Sequence, residues 1–473
     1  MSQSPPPRVI DLFSGAGGFS LGFQAAGCHI DAAVDKDEAA GRTFRENFGR
    51  LQADSAPLVF CGDDADLSKF DMERLVTGGR PDILIGGPPC QGFSRVGRAK
   101  LDDLNDEGYA DDPRNELFRR FLDIAELWRP AAVVMENVPG MLSFDGRNVA
   151  HEVVSEMAGR GYIAGYAVLN AVWYGVPQYR DRLFFVGIRE DRGIKPSMPA
   201  ATHRAALPAG YSLPLTGVQF DFPFAAPYGE LPVVLEAADF PATTVADALE
   251  DLPVVDYHLE SQNDATAMGR DARAPLPYRF SPRSMFARLM RTWPSLAASS
   301  APADHVIRHT PRDYEIFRAM RPGDRYPAAL AIARRRFEDE LRLLAVDGRA
   351  PLPETAEYRE LQRRFIPPYP HDKFVDKWRK LVPEQPSWTV TAHLAKDTYS
   401  HIHYDDVQAR CISAREAARL QSFPDAFAFT GNMGERFSQI GNAVPPLLSW
   451  AVACPLLEAL GHEPQHPPWR IIA

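Results

Sequence analysis

The first 190 residues predict an α/β fold, a mostly parallel sheet with helices packed on both of its faces. Three observations carry this. Short runs rich in β-branched residues alternate with stretches of helical length, and glycine-rich or acidic turns sit where the runs end. The composition, 45% hydrophobic and 24% charged over 473 residues, is that of an ordinary globular chain large enough to bury its own core. At about 150 residues per domain, the length allows roughly three domains or two large lobes.

In chain order, strands are expected at Val9–Phe13, Ile30–Val34, Leu58–Cys61, Ile83–Ile85, Ala131–Met135 and Leu183–Ile188. Helices are expected between them at Phe19–Ala26, Glu38–Asn47, Asn115–Trp128 and Val149–Gly159. Right-handed crossovers then leave a ligand site at the carboxyl ends of the strands. From Lys195 the rhythm gives way to Pro-, aromatic- and Arg-rich sequence, with one helix at Leu330–Ala345 that carries Arg334, Arg335 and Arg336. Order returns near Arg410, with helices at Ala414–Gln421 and Pro446–Leu460.

The opening MSQSPPPR lacks the apolar core of a secretory signal, and the apolar run Ala443–Leu457 is too short and too proline-broken to span a bilayer. Five cysteines with no CxxC pair point to reduced thiols and a cytoplasmic chain. The net charge of −10 is unevenly spread: Phe280–Lys380 holds 20 Lys+Arg against 13 Asp+Glu, which leaves −17 on the remainder. A basic segment in an acidic chain suits contact with phosphates, though a salt-bridged surface would give the same count.

The turns carry the chemistry. The first strand runs into Asp11-Leu-Phe-Ser-Gly15-Ala-Gly17-Gly18-Phe19, where backbone N–H groups can approach an anionic ligand at a helix N-terminus. Ser20 stands where a dinucleotide fingerprint has its third glycine, and no GK[ST] follows. The second strand ends at Asp35, placed to accept ribose hydroxyls, and the third at Asp63-Asp64; each acid alone could equally cap a helix. Together they suit a nucleoside whose far end is not a pyrophosphate, as in S-adenosylmethionine. The fourth strand delivers Gly87-Pro88-Pro89-Cys90, a thiol on a rigid turn, placed like a nucleophile or buried as a small hydrophobe. Arg95–Pro113 is long enough to form a mobile lid. The fifth strand ends Glu136-Asn137, a proton donor if burial raises its pKa, otherwise a turn acid. Arg180 and Arg182 precede the last strand as a positioned pair or a salt-bridged edge. His393, His401, His403 and Cys411 fit no zinc spacing, and no metal is expected.

In this order, DLFSGAGGFSLGF, GGPPCQGFS, MENVPG, QYRDRLFFVGIR, REAARLQSFPD and QIGNAVPP closely resemble the motifs of the DNA (cytosine-5) methyltransferases, covering about residues 8–192 and 410–460. The resemblance implies a Rossmann-like, S-adenosylmethionine-dependent lobe (residues 1–192), an inserted smaller target-recognition lobe (193–409) and a returning C-terminal segment (410–473). It implies that Cys90 attacks C6 of a flipped-out cytosine, that Glu136 contacts N3, and that Arg182, with Arg180 near it, holds O2 and the nucleophile region. S-Adenosylmethionine would be held by Phe13, Gly15, Gly17, Gly18, Asp35, Asp63, Asp64, Pro88, Leu117, Asn442 and Ala443. Amino-methylating enzymes carry Asp, Asn or Ser before Pro-Pro, whereas Gly87 stands there in this chain, which favours methylation at carbon. The expected partner is duplex DNA, and a cognate restriction endonuclease could act separately. A free-standing bacterial monomer with no membrane association is expected. A tRNA methyltransferase and a non-catalytic DNA-binding relative are the alternatives; intact Cys90, Glu136 and Arg182 speak against the latter.

Overall fold

A computed structural model describes residues 5–67, 71–76, 79–89, 117–144, 146–208, 211, 228–235, 238–260, 275–297, 300–370 and 377–470. The expected lid and Cys90 lie outside the described residues.

The six expected strands and a further one, β6, build the sheet: β1 (Arg8–Leu12), β2 (His29–Asp35), β3 (Leu58–Cys61), β4 (Ile83–Gly86), β5 (Ala132–Asn137), β6 (Tyr162–Asn170) and β7 (Asp181–Arg189). After β8 (His203–Arg204), an eighth sheet strand, β9 (Tyr228–Glu230), joins the edge, giving the order β3-β2-β1-β4-β5-β7-β6-β9. β1 to β5 are parallel, and β7 runs antiparallel between β5 and β6.

Alternate residues of each strand feed opposite faces, as a period of two requires. Val9, Ile83, Ile85, Val134, Phe184 and Val186 enter one core; Ile10, Leu12, Leu84, Val133, Met135 and Phe185 enter the other. The first core is covered by α1 (Gly18–Ala25) and α2 (Glu38–Leu51), the second by α3 (Leu117–Trp128) and α4 (Val149–Gly159).

The C-terminal segment returns to this lobe. Its helices are α5 (Ala414–Leu420), α6 (Met433–Asn442) and α7 (Pro446–Ala459). α7 packs so closely on α1 that a Cβ at Gly22 would meet Ser449 Cβ at 2.4 Å. Met433–Ala459 is the one helical stretch among the described residues long and apolar enough to cross a membrane, and most of it is buried inside the fold.

The inserted segment divides between two cores. Met198, Val245, Leu249, Met290 and Trp293 belong to the first core of the main lobe. A separate core gathers Tyr314, Phe317, Tyr326, Leu330, Trp378, Tyr399, Ile402 and Cys411. Its long helix spans Tyr326–Val346, with Arg334 and Arg335 exposed and Arg336 over the Phe365 ring at 5.7 Å.

Buried ion pairs fasten the segments to one another. Arg419 of α5 is fully buried between Asp251 and Asp425, and Arg291 also reaches Asp251. Arg410 makes a two-pronged contact with Glu416, whose carboxyl it holds well below the ordinary range. His401 and His403 are buried core residues, their pKa lowered to about 4 by burial.

Candidate active site

The site forms where β1, β2, β4 and β5 end, around a cavity of about 370 Å³, within the usual range for a small-molecule pocket. β1 stops at Leu12, and Phe13 takes a left-handed backbone (φ 59°) that turns the chain over the sheet edge. Gly15 and Gly17 follow with φ 54° and 95°, conformations costly for a residue with a Cβ. A Cβ on Gly17 would also strike Phe48 at 2.7 Å. Gly18 opens α1 against the returning chain, where a Cβ would lie 2.3 Å from the Val444 carbonyl.

Asp35 organises this turn. Its Oδ2 accepts the Gly15 N–H at 2.6 Å and its Oδ1 the Asp37 N–H at 2.7 Å. Burial raises its pKa, against the pull of those two hydrogen bonds. Ser14 Oγ is buried, lines the cavity and has no protein partner among the described residues. Ser20, the residue in place of a third glycine, donates its hydroxyl to Asp11 Oδ2 at 2.6 Å and so ties α1 to β1. Asp11 is fully buried, and desolvation, reinforced by the Asp35 charge, pushes its pKa up to about 8.

At the other end of the cavity stand Glu136 and Arg182. Glu136 is the penultimate residue of β5, Arg182 the second of β7, and Arg182 Nε meets Glu136 Oε1 at 2.7 Å. Burial pushes the Glu136 carboxyl above the ordinary range, while the Arg182 and Arg180 charges oppose the shift. Gly87 leaves room for this pair, since a Cβ there would sit 3.3 Å from Glu136 Oε2. Asn137 Nδ2 donates to the Pro88 carbonyl at 3.2 Å and steadies the turn that leads to Cys90.

The two arginines read as a pair in the sequence part company. Arg182 lines the cavity; Arg180 is fully buried and donates to the carbonyls of Val390 at 2.5 Å, Gly441 at 2.8 Å and Ala443 at 3.0 Å. Gln178 works beside it, accepting the Val390 N–H at 3.0 Å and donating to the Leu420 carbonyl at 2.8 Å. These bonds fix Gly441–Val444, and Asn442, Ala443 and Val444 close the cavity over the glycine turn.

Of the residues expected around a cofactor, Phe13, Gly15, Asp35, Pro88, Asn442 and Ala443 line one cavity together with Glu136 and Arg182. Gly17 and Gly18 shape the turn from behind. Asp63 and Asp64 sit exposed in the turn after β3, and Leu117 half-buried at the start of α3; none of these three is among the described residues that line the cavity. Ser14, Asn137 and Gln439 were not singled out from sequence; the first two lie inside motifs already quoted, and Gln439 opens QIGNAVPP.

Comparison with known proteins follows the same geometry. The family model for the C-5 cytosine-specific DNA methylases matches residues 7–253 and 338–457. M.OihORF3336P of Oceanobacillus iheyensis, named as a candidate type II methyltransferase, is 38% identical over 94% of both chains. The type II methyltransferase M.AgeI of Thalassovita gelatinovora is 33% identical over 94% of this chain and 98% of its own. A crystal structure of an E. coli prophage-encoded protein, described as a candidate DNA modification methyltransferase, superposes with a TM-score of 0.60 at 22% identity, covering 96% of this chain and 100% of that one. At that identity the likeness is one of fold.

Proposed function

Because the chain belongs to the C-5 cytosine-specific DNA methylase family, and is a DNA (cytosine-5) methyltransferase of restriction–modification type, we propose that it methylates C5 of a cytosine flipped out of a specific duplex DNA sequence, through a covalent bond from Cys90. The observation that carries this reading is the Glu136–Arg182 pair, set at one end of the cavity beside the Gly87-Pro88-Pro89 turn and facing the glycine turn at the other.

The methyl donor is S-adenosylmethionine, which supplies a methyl group on a positively charged sulfur. The residues present fit it. Asp35 offers a half-buried carboxylate to the ribose hydroxyls, and Ser14 Oγ offers an unused polar atom inside the cavity. Phe13, Pro88 and Val444 give apolar walls, and Asn442–Ala443 close the site.

On the cytosine side, the Cys90 thiolate adds to C6. The sulfur–carbon bond forms as the C5–C6 π pair shifts to C5, and Glu136, kept protonatable by burial, donates its proton to N3. Arg182 holds Glu136 by its Nε, and the guanidinium that lines the cavity is the group that would contact O2. C5, now electron-rich, takes the methyl group. The C5 proton is then lost to water and its electron pair returns to the ring, the C6–sulfur bond breaks so that Cys90 leaves as thiolate, and N3 hands its proton back to Glu136. Arg180 acts from behind, holding the returning segment in place.

Fluorine at C5 cannot leave as a cation, so the cycle stalls after methyl transfer. Duplex DNA containing 5-fluorocytosine in the methylated site, incubated with S-adenosylmethionine, is expected to give a denaturation-resistant adduct on the Cys90 peptide, abolished by Cys90→Ser. An adduct on Cys28, Cys61, Cys411 or Cys454, or full methylation by Cys90→Ser, would overturn the mechanism. Trapping on tRNA but not on DNA would overturn the substrate.

A further inference from the structure

The helical hairpin built by Tyr326–Val346 and Ala356–Phe365 stands outside the site described above, and its charge is divided along its length. One end, residues 326–337 and 361–365, holds Arg334, Arg335, Arg336, Arg363 and Arg364 and no acid. The rest, residues 338–360, holds seven acids against three arginines. Phe337 joins the two helices, its ring packing on Tyr358 at 5.4 Å and on Phe365 at 6.3 Å, and so brings both groups of arginines to the same end.

A salt-bridged surface would use these charges up, and the spacing permits it. Glu338 and Asp339 stand four residues after Arg334 and Arg335, and Glu360 stands four before Arg364, each within helical pairing distance. The structure pairs them otherwise. Glu338 and Asp339 both meet Arg342, Asp339 at 2.7 Å. Arg334, Arg335, Arg363 and Arg364 are exposed and have no hydrogen bond or ion pair among the described residues.

The basic end is also the end nearer the chemistry. Tyr326 follows Arg325, which lies over the Trp388 ring at 5.9 Å, and that ring packs at 6.2 Å on Tyr179, three residues before Arg182. At about 1.5 Å per helical residue, Arg334 and Arg335 stand about 12–14 Å along the helix from Tyr326, and Val346 about 30 Å.

We propose that this basic end clamps the phosphate backbone of the duplex flanking the methylated sequence. The proposal rests on the DNA-methylating reading above. Guanidinium forks match phosphate oxygens, and four of them here are not spent on acids. Consecutive helical residues point about 100° apart, so Arg334 and Arg335 spread along a backbone and cannot converge on one base edge. The acids of 338–360 repel a polyanion, which confines the crossing to the end nearer the site.

Each phosphate contact contributes about 0.9 to the slope of log affinity against log salt. Binding of a mixed-sequence duplex of about 30 base pairs by the full chain, followed by anisotropy between about 50 and 200 mM salt, reads that slope directly. The variant carrying Arg334→Gln, Arg335→Gln, Arg363→Gln and Arg364→Gln is expected to lower it by at least about 1.8, the share of two phosphates, so that the affinity lost across this salt range shrinks about 12-fold or more. The corresponding fourfold Arg→Lys variant should restore the slope. On plasmid DNA, the Gln variant should methylate more slowly but place 5-methylcytosine in the same sequence as the wild type. S-Adenosylmethionine affinity, measured by calorimetry, should stay within about twofold in both variants. An unchanged slope in a folded Gln variant overturns the proposal. A changed set of methylated sequences overturns it too, since these arginines would then read bases. A wild-type chain that neither methylates the plasmid nor binds the duplex would overturn the DNA reading itself.

Discussion

Replacing Arg180 by Lys separates a residue that supports the site from one that touches the base. The Arg180 guanidinium is fully buried and serves three carbonyls, those of Val390, Gly441 and Ala443. A charged hydrogen bond contributes about 1.5–3 kcal/mol, so the three together amount to roughly 4–9 kcal/mol. An ammonium group keeps the charge but lacks the planar fork, and it cannot reach acceptors belonging to two different segments at once. The expected loss is a sizeable share of the roughly 5–15 kcal/mol that holds a folded protein together. Arg180→Lys should therefore unfold at markedly lower temperature, and it should lose S-adenosylmethionine affinity along with turnover, because Gly441–Val444 would no longer be held over the cavity. Arg182→Lys, at a partly exposed position, should lose turnover with little change in melting temperature. Melting curves, calorimetry and methyl-transfer rates on the two variants decide the matter. If Arg180→Lys melts and binds cofactor like the wild type and loses only turnover, Arg180 contacts the substrate and the support role is wrong.

Two further outcomes follow from the carboxyls under the glycine turn. Asp35→Ala should weaken S-adenosylmethionine binding by about 1–3 kcal/mol while DNA affinity is kept; unchanged cofactor affinity by calorimetry would remove Asp35 from the ribose site. Asp11 should make the fold less stable as pH rises. Its pKa is about 8 when folded against an ordinary 3.8, so its contribution is complete below 3.8 and is lost across that window. The loss runs at about 1.4 kcal/mol per pH unit. Asp11→Asn, which stays neutral, should flatten the decline, so its advantage over wild type should grow between pH 5 and pH 8. Parallel unfolding curves for the two proteins would refute this.

The parts of this fold that could be read from sequence are those whose signal is local. β1, β2, β4 and β5 lie inside the sheet with a core on each face, so their middles are apolar and the strands stand out as runs. β6, Tyr162–Asn170, was not expected, because its sequence YIAGYAVLN is diluted by small residues. Gly165 is needed there for fit, since a Cβ would lie 2.5 Å from Leu231 Cγ. α6 was also not expected: MGERFSQIGN is polar with two glycines, and Gly441 lets the helix end against Thr391, whose carbonyl carbon would lie 2.1 Å from a Cβ. A start signal was present in Asn432 and Glu435, which cap the helix reciprocally. The acids divide for the same kind of reason. Asp35 is drawn into the site by the Gly15 N–H one strand away, whereas nothing in the local pattern of Asp63-Asp64 shows that their turn stays exposed. The arginines are the clearest case. Alternation at 180 and 182 gives both the same face, and what separates them is a set of carbonyls 210 to 263 residues further along the chain. A motif can announce that Arg180 and Arg182 matter together, but only the packing of the returning segment shows that one lines the cavity while the other holds that segment over it.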